Sequence, residues 1–572
     1  MGVLKEDEEV VSLPSGCCFL QDQLQVIEKH NNSPPNLDGV EEILGYKFSN
    51  RSLLEEAFIH PSCYNFRVGT MNSCHVSYER LEFVGAAVLN MVIAKEMFSL
   101  YPDFAPGHLT LLRAANIHHE KLARVAIKHG FHHYLHYKIT NFDKQIQEFS
   151  KAILEYPVHS NGLIKAPKFL AHVVGATVGA IFIDTKSSFD TTWKIIKELL
   201  KPIIDHETLE VHPMTELQEL CQKYKLKLQI IKDSTSNKEN TMKVDVQVNE
   251  KVVGTGTHRS KKEIAQNRAA KDAILKLKAG ALKDFVHLEV LDQKMEVIMK
   301  EEEEEEEEND SLLFETESAR NLNEVEDVLG YKFIDKRLLE EAFTHRTYYE
   351  NQDIMNSCIM SYERLEFVGD AVLSTLIANE MYSLYPELPP GKLSRLMAAN
   401  VDNEKLARVA IKHGFHHYLR YKATRVEEQI QEFSVAIMEY PVHSNRLIEV
   451  PKSLADVVEA IIGAIFIDSN SSLDTVWKII RELLKPMIGP ETLEMHPMTE
   501  LLELCQKNKL ELQINKDLWD KKENKGRVDV LVDDKLVGTG THVIKKEIAQ
   551  NRAAKAALNN LKSKLAAKNV TE

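Results

Sequence analysis

The sequence predicts a mainly α-helical chain with two all-helical domains, each followed by a small domain of order α-β-β-β-α. Three observations predict this architecture. Long segments recur at one constant offset. Within each repeat, the apolar residues first follow a helical period over long runs. After His212 and His496 the pattern changes to short alternating segments that are typical of strands.

The repeat is identical over long stretches. Residues 78–85 (YERLEFVG) recur at 362–369, and residues 127–135 (IKHGFHHYL) recur at 411–419. The same offset, about 284 residues, carries Cys221 onto Cys505 and Lys262 onto Lys546. Coincidental similarity between helical domains does not produce such matches, and the repeated unit is long enough for two domains.

The pattern along the chain divides it into six parts. These are a disordered tail (1–36), a first helical domain (37–205), a first small domain (211–280), an acidic linker (281–320), a second helical domain (321–489) and a second small domain (495–565). The linker contains the glutamate run 301–308, which is interpreted as a solvated segment rather than a specific binding site.

Composition limits the possible classes of protein. The 572 residues are 44% apolar, which is enough for several cores, and the formal net charge of −15 argues against a general polyanion binder. Much of that excess lies in the glutamate run, so the separate domains can still suit RNA. The sequence contains no run of eighteen apolar residues, and we expect no membrane span.

Cysteine usage and the N-terminal sequence indicate the cellular compartment in which the protein works. The seven cysteines include no C-x-x-C spacing, so neither a disulfide framework nor a zinc site is predicted. Adjacent Cys17 and Cys18 are expected to be free thiols on the tail. The acidic start does not resemble a secretory signal. We expect an intracellular protein, with nucleus and cytoplasm both open.

Two acidic patterns carry the chemistry. Glu363, Glu366 and Asp370 are spaced by three and then four residues, which places them on one face of an otherwise apolar helix. Asp456 and Glu459 lie three residues apart in a second apolar helical run. Buried carboxylates are costly unless a cation compensates them. Two such helices facing each other would form a cage of oxygen ligands that suits Mg²⁺ or Mn²⁺.

These residues also carry a family resemblance. The segment ERLEFVGDAVL (363–373) resembles the signature motif of the ribonuclease III family, and ADVVEAIIGAI (455–465) resembles the second acidic motif of that family. Because the pattern occurs twice, the resemblance covers nearly the whole chain. The segment PPGKL (389–393) is more similar to the plant and Dicer-like members than to bacterial ones.

The resemblance implies an endoribonuclease that cleaves double-stranded RNA. Glu366, Asp370, Asp456 and Glu459 would hold one or two Mg²⁺ or Mn²⁺ ions that activate water against a phosphodiester, with Asp370 and Glu459 as the catalytic pair. The products would carry 5′-phosphate and 3′-hydroxyl ends. Glu363 is expected to form an ion pair with an arginine or lysine rather than to bind metal. Pro390 stands where bacterial members carry an auxiliary acid.

The first copy lacks most of these acids. Ala86 stands in place of Asp370, and His172 and Gly175 stand in place of Asp456 and Glu459, so that only Glu82 remains. One carboxylate and one imidazole do not make an oxygen cage for Mg²⁺. The first helical domain is therefore interpreted as degenerate, with His172 in the core or on the surface, and the second as catalytic.

The resemblance also bears on assembly. Family members dimerise through the signature helix, whose phenylalanine enters a socket on the partner, and Phe83 and Phe367 both stand at that position. Each phenylalanine can equally fill its own core. We expect either an internal pseudo-dimer of the two helical domains or a homodimer. One active site in an internal pair would cut one strand, whereas two chains pairing through their active copies would cut both.

The small domains resemble double-stranded RNA-binding domains, because each contains a VGTGT segment followed by a K-K-x-x-A-x-N-x-A-A pattern. The implied phosphate ligands are Lys545, Lys546 and Arg552 in the second copy and Lys261, Lys262 and Arg268 in the first. The alternative is that they lie on an ordinary solvated helix. Glu547 and Glu263 replace an expected lysine, and the Gly-Pro-x-His loop of the family is missing. Binding is therefore expected to be weak and salt-sensitive.

The sequence thus favours a double-stranded RNA endoribonuclease with one active and one degenerate domain. A non-catalytic RNA-binding protein, a decoy, or a scaffold for another ribonuclease stays open as the alternative. Double-stranded RNA is the expected partner in each case, and no membrane is expected.

Overall fold

The computed structural model describes residues 36–63, 77–233, 241–279, 321–349, 360–516, 519–520, 525–543 and 545–571. The predicted tail and the acidic linker, including Cys17, Cys18 and the glutamate run, lie almost wholly outside these residues. The chain forms two compact units. The first contains the described residues of 1–89, 111–187 and 191–312, and the second contains those of 90–110, 188–190 and 313–572.

The first helical domain contains eight helices among the described residues. They are α1 (Asp38–Leu44), α2 (Arg51–Ala57), α3 (Glu79–Leu100), α4 (Pro106–Ile117), α5 (His119–Lys128), α6 (Phe142–Ala152), α7 (Lys168–Asp184) and α8 (Phe189–Leu200). Helix α1 ends at Gly45, whose φ of 58° is the left-handed conformation that glycine adopts at low cost. Helix α7 is buried along almost its whole length, as its apolar sequence predicts.

The first small domain has the predicted order. Its elements are α9 (Pro213–Lys223), β1 (Leu228–Asp233), β2 (Met242–Val248), β3 (Lys251–His258) and α10 (Lys262–Lys278). The three strands form an antiparallel sheet of order β1-β2-β3. Val244, Val246 and Val248 alternate toward the core and pack against α10. Asn249 and Glu250 both have positive φ, as a tight hairpin turn requires.

The second helical domain repeats this architecture. Its helices are α11 (Asn323–Leu329), α12 (Lys336–Ala342), α13 (Glu363–Leu384), α14 (Pro390–Val401), α15 (Asn403–Lys412), α16 (Thr424–Ala436), α17 (Lys452–Asp468) and α18 (Leu473–Leu483). Gly330 ends α11 in the left-handed conformation, as Gly45 ends α1. Helix α17 is buried from residue 453 to residue 466, and that burial includes Asp456 and Glu459.

The second small domain contains one additional short strand. Its elements are α19 (Pro497–Lys507), β4 (Leu512–Asn515), β5 (Trp519–Asp520), β6 (Lys525–Val532), β7 (Lys535–His542) and α20 (Lys546–Thr571). Strands β4, β5 and β7 all pair with β6 in antiparallel fashion. The hairpin turn at Asp533 and Asp534, both with positive φ, lies where the sequence predicts it. The mainly helical fold class with an α-β-β-β-α domain after each helical domain is confirmed.

One described helix, α3, is long and apolar enough by length and composition to cross a membrane, which the search for an uninterrupted apolar run did not anticipate. Of its most apolar window, 61% is buried inside the protein. A core helix of a water-exposed domain has the same two properties. The expectation that no membrane is involved stays a prediction.

Candidate metal centre and RNA-binding surfaces

Helices α13 and α17 cross in direct backbone contact. A Cβ placed on Gly369 would lie 1.8 Å from the carbonyl oxygen of Glu459, and one placed on Gly463 would lie 2.2 Å from that of Leu365. Any larger residue at either position would force the helices apart. This crossing brings the acidic face of α13 against the acidic residues of α17.

Three carboxylates converge at the crossing. Glu366, Asp456 and Glu459 each offer an oxygen, and these oxygens all lie within 4.8 Å of one another. Asp456 and Glu459 are buried, with 5% and 8% of their surface exposed. Asp370, on the next turn of α13, is close enough for its charge to raise the pKa of both Glu366 and Glu459. The structure therefore groups three of the four predicted metal ligands, and Asp370 is near enough to influence two of them without belonging to the group whose oxygens lie within 4.8 Å of one another.

The cluster is unfavourable without a cation. Burial and then the charge of Glu366 raise the pKa of Asp456 to about 7. Burial, followed by the charges of the other three acids, raises the pKa of Glu459 well above its usual value. A compact set of buried oxygens that resists ionisation is the donor set that a hard divalent cation stabilises. The residues present fit the Mg²⁺ or Mn²⁺ ion that the sequence predicts.

A lysine already acts as a cation in this cluster. Lys452 Nζ lies 2.9 Å from Glu366 Oε1 and 2.9 Å from both carboxylate oxygens of Asp456. Burial alone would lower the pKa of Lys452, but the charges of Asp456 and Glu366 outweigh it and raise that pKa. The hydroxyl of Tyr362 donates to Asp456 Oδ2 at 3.4 Å. The sequence analysis missed both residues, although the spacing of four residues between Lys452 and Asp456 on a helix was a signal for this ion pair.

Glu363 lies outside the cluster. Its Oε1 is 3.6 Å from Arg346 Nε, which confirms the predicted ion pair. Pro390 occupies the first turn of α14, a position at which proline costs a helix little.

The first copy holds an aromatic and imidazole cluster where the second holds acids. The ring of His172 packs against Tyr78 and His119, with centroids 5.9 Å apart in both cases. Burial, then the charges of His119 and Lys168, lower the pKa of His172 to about 4, so it is neutral at pH 7. Glu82 reaches the space beside Gly175. Among the described residues Glu82 belongs to no group of three metal-ligating side chains.

A second group of metal-ligating types is explained by hydrogen bonding. His118, Glu120 and His159 also place one ligand atom each within 4.8 Å of the others. However, Glu120 already accepts hydrogen bonds from Arg124, from the backbone of Ser160 and from the hydroxyl of Ser160. This group connects the start of α5 to the loop that follows α6.

Arg364, in the signature motif, binds three backbone carbonyls within the second unit. Its guanidinium group donates to the carbonyl oxygens of Phe98 and Tyr101 at 3.1 Å, and also to that of Phe104. It lies 4.8 Å above the ring centroid of Phe98. The carbonyls at the end of α3 thereby gain a buried positive charge. Phe83 and Phe367 are both buried, which suits either role that the sequence left open.

The predicted RNA-binding lysines and arginines divide into two groups. Lys261, Lys262, Lys545 and Lys546 lie at the starts of α10 and α20, as expected. Arg268 and Arg552 instead connect each small domain to its helical domain. Their Nε groups donate to the carbonyls of Leu163 and Leu447, and their Nη1 groups donate to those of Thr257 and Thr541. These bonds occupy the Nε–H and one N–H of Nη1, so a phosphate contact of either arginine would use the second N–H of Nη1 or those of Nη2.

Comparison with known proteins assigns the family. Residues 79–186 and 363–470 match the Ribonuclease III domain, and residues 213–277 and 497–561 match the Double-stranded RNA binding motif. Ribonuclease 3-like protein 3 of Oryza sativa subsp. japonica is 51% identical over 241 residues, which are 42% of this chain and 78% of that protein. Endoribonuclease Dicer homolog 1 of Arabidopsis thaliana is 41% identical over 42% of this chain, but the match spans only 12% of its own length.

A solved nuclease domain of ribonuclease III from Campylobacter jejuni is also similar. It is 27% identical, and the match covers 29% of this chain and 99% of that domain with a TM-score of 0.23. The chain belongs to the ribonuclease III family, and it carries two ribonuclease III domains and two double-stranded RNA-binding motifs of a ribonuclease III-type endoribonuclease.

Proposed function

We propose that the chain cleaves double-stranded RNA with a single active site in its second ribonuclease III domain and that its first domain has lost catalysis. The observation that carries this proposal is the asymmetry between the copies. Glu366, Asp456 and Glu459 converge in the second domain. In the first domain a neutral His172 packed on Tyr78 stands at the corresponding place.

The four acids of the second domain, Glu366, Asp370, Asp456 and Glu459, would hold the divalent cation. A bound Mg²⁺ or Mn²⁺ ion would supply the positive charge that lets an attacking water meet an anionic phosphodiester. The buried crossing of α13 and α17 fixes the positions of the acids. The hydroxyl of Tyr362 orients the Asp456 carboxylate.

Lys452 has a second role in this proposal. Its side chain is 66% exposed, so it can leave the carboxylates without a burial cost when a divalent cation arrives. The displaced ammonium group would remain beside the site, close to the phosphate of the RNA strand being cut. Lys452 would then hold a phosphate oxygen as a point charge.

We further propose that the two ribonuclease III domains form an internal pair. Three features of the second unit support this. The unit takes in residues 90–110 and 188–190 from the first copy of the repeat. Arg364 binds the carbonyls that end α3, and the ring of Phe189 packs edge-on against Phe466 at 5.4 Å. Light scattering of the intact protein tests this proposal, because an internal pair predicts the mass of one chain and a homodimer predicts twice that mass.

The test of the catalytic assignment compares two acid substitutions. The purified chain is incubated with a long RNA duplex in Mg²⁺ and, as a control, in EDTA. Asp370→Asn should lower the cleavage rate by at least about 100-fold while duplex binding is retained. Glu82→Gln, which changes the first-copy counterpart of Glu366, should leave the rate within about twofold.

Two outcomes would overturn the assignment. An equal loss of activity in Glu82→Gln would mean that the first domain also performs chemistry. Binding by the wild-type chain without any metal-dependent cleavage would instead favour the non-catalytic alternative, in which the protein acts as a decoy or as a scaffold for another ribonuclease.

A further inference from the structure

The first unit contains a cleft between its helical domain and its RNA-binding motif. The cleft has a volume of about 590 Å³. Helix α6 and the segment with Lys165 form one wall, and the turn that follows β3, with His258 and Arg259, forms the other. A cleft of this size is larger than one ordered ion needs and can admit a nucleotide.

The charged side chains that line the cleft are mostly positive. Lys165, Arg259 and Arg268 contribute three fixed positive charges, against the one carboxylate of Glu148. Arg268 is held in place by its bonds to the carbonyls of Leu163 and Thr257. An immobilised arginine keeps its charge at the cleft without a further loss of side-chain entropy when a ligand binds.

His258, which also lines the cleft, can offer a hydrogen-bond donor. Its Nδ1 accepts the backbone N–H of Lys261 at 2.9 Å and that of Ser260 at 3.2 Å. Because Nδ1 is an acceptor, the ring proton of the neutral imidazole is on Nε2. Burial and then the charges of Arg268, Lys165 and Lys261 lower the pKa of His258, which is consistent with three positive groups around one ring.

The second unit shows what this arrangement of donors binds. His542 Nδ1 accepts the backbone N–H of Lys545 at 2.8 Å, as His258 accepts that of Lys261. A carboxylate completes the arrangement, because Glu449 Oε1 lies 3.1 Å from Lys545 Nζ and Glu449 Oε2 lies 4.0 Å from His542 Nε2. In the second unit an internal anion therefore lies between the histidine and the lysine.

The first copy has lost that anion. The residue of the first copy that corresponds to Glu449 is Lys165. The first copy retains the histidine and the lysine, as His258 and Lys261. It lacks the internal carboxylate and carries one more positive charge in its place. The donors that Glu449 contacts in the second unit therefore face Lys165 instead of that carboxylate in the first, which favours an external anion there.

We propose that the cleft of the first unit binds a phosphate group through Lys165, His258 and the lining arginines Arg259 and Arg268, as a site for RNA or nucleotide binding that is separate from the metal centre. A phosphate suits the cleft better than a carboxylate, because it brings more negative charge and more acceptor oxygens to several positive groups. The phosphate can come from an RNA strand that follows the RNA-binding motif or from a free nucleotide.

The test exchanges the residue that differs between the copies. The full chain carries Asp370→Asn so that RNA stays intact, and the probes are a short RNA duplex and ADP. Lys165→Glu installs the carboxylate of the second unit. Lys194→Glu, which reverses an exposed charge on α8 of the same unit, is the matched control. Glu449→Lys makes the converse change in the second unit.

If the bound phosphate belongs to RNA, Lys165→Glu should weaken duplex binding by about 3- to 10-fold at low salt. The salt dependence of binding should then also fall by about one released ion. Lys194→Glu should not do so, and Glu449→Lys should tighten binding. If the bound phosphate belongs instead to a free nucleotide, Lys165→Glu should abolish ADP binding and leave duplex binding unchanged. Equal behaviour of Lys165→Glu and Lys194→Glu with both probes would overturn the proposal.

Two features keep this test decisive. If the melting temperature shows that Lys165→Glu unfolds the first unit, Lys165→Gln removes the charge without adding a carboxylate, and the same comparison applies. The measurement is of binding and not of cleavage. If the phosphate site proves wrong, the proposed catalytic function is unaffected. If the catalytic assignment proves wrong, the proposed phosphate site is likewise unaffected.

Discussion

Lys452 Nζ lies 2.9 Å from both carboxylate oxygens of Asp456. The two residues stand four positions apart on α17, so the helix itself sets this ion pair. It places a positive charge among acids whose pKa values are raised by burial and by one another. The lysine and the proposed divalent cation would therefore compete for the same oxygens.

Replacement of this lysine separates its two proposed roles. Lys452→Gln should tighten Mn²⁺ binding by about 3- to 10-fold, because a competing positive charge is gone. It should also slow RNA cleavage at saturating metal, because a phosphate contact is lost. Calorimetric Mn²⁺ titration and single-turnover cleavage measure the two effects. Lys168→Gln, the corresponding change in the first copy, should alter neither, and unchanged Mn²⁺ affinity in Lys452→Gln would contradict the competition.

The glycine crossing gives a second prediction. Gly369→Ala should destabilise the second unit by about 1–3 kcal/mol or more, because its Cβ would overlap the carbonyl of Glu459 and the backbone would have to move. Cleavage should fall with it, since the same crossing aligns the acids. Chemical denaturation measures the stability. Gly391→Ala is the control, because its Cβ would meet nothing within 4 Å, and it should be neutral or slightly stabilising.

The buried contacts of Arg364 should also contribute to the stability of the second unit. Arg364→Lys should destabilise the second unit by about 2 kcal/mol, because one ammonium group cannot replace a guanidinium that binds three carbonyls and stacks on Phe98. Arg337→Lys, which changes an exposed arginine paired with Asp335, should have no measurable effect on denaturation. Equal midpoints for the two variants would contradict the buried role of Arg364.

The two copies should respond to acid in opposite directions. In the second unit His443 Nε2 lies 2.8 Å from Asp402. Burial alone would lower the pKa of His443, but this hydrogen bond and the charge outweigh it and raise that pKa. In the first unit His118 replaces Asp402 and lies 3.3 Å from His159. Burial lowers the pKa of both of these histidines.

The sign of the stability change follows. A histidine whose folded pKa is raised contributes stability at low pH that is lost as the pH rises through that pKa, whereas one whose pKa is lowered costs stability as the pH falls. As the pH falls from about 8 to about 5, protonation of His443 should stabilise the second unit, whereas protonation of His118 and His159 should destabilise the first. His118→Asp should raise the pKa of His159, measured by NMR. An unchanged His159 titration would contradict this account.

The sequence predicted the acid cluster well and its surroundings poorly, for physical reasons. Helical spacing and the cost of buried charge, both visible in a sequence, indicated the acids of the two helices, and the family resemblance selected Glu366, Asp370, Asp456 and Glu459. The structure brings Glu366, Asp456 and Glu459 together. The partners of Arg364 are backbone carbonyls, and carbonyls have no residue-specific signature. For the same reason, the docking role of Arg268 and Arg552 could not be predicted. The exchange of Glu449 for Lys165 was visible in the repeat, but its meaning required the contacts of His542 and Lys545.

The most direct test of one active site in an internal pair uses a long RNA duplex with one strand labelled at a time. The chain is added in Mg²⁺ under single-turnover conditions, and the products are separated on native and denaturing gels. One active site in an internal pair should give fragments on the denaturing gel alone, because each binding event cuts one strand. Fragments of matching length on the native gel at the earliest times would mean that both strands are cut together, and would contradict the account.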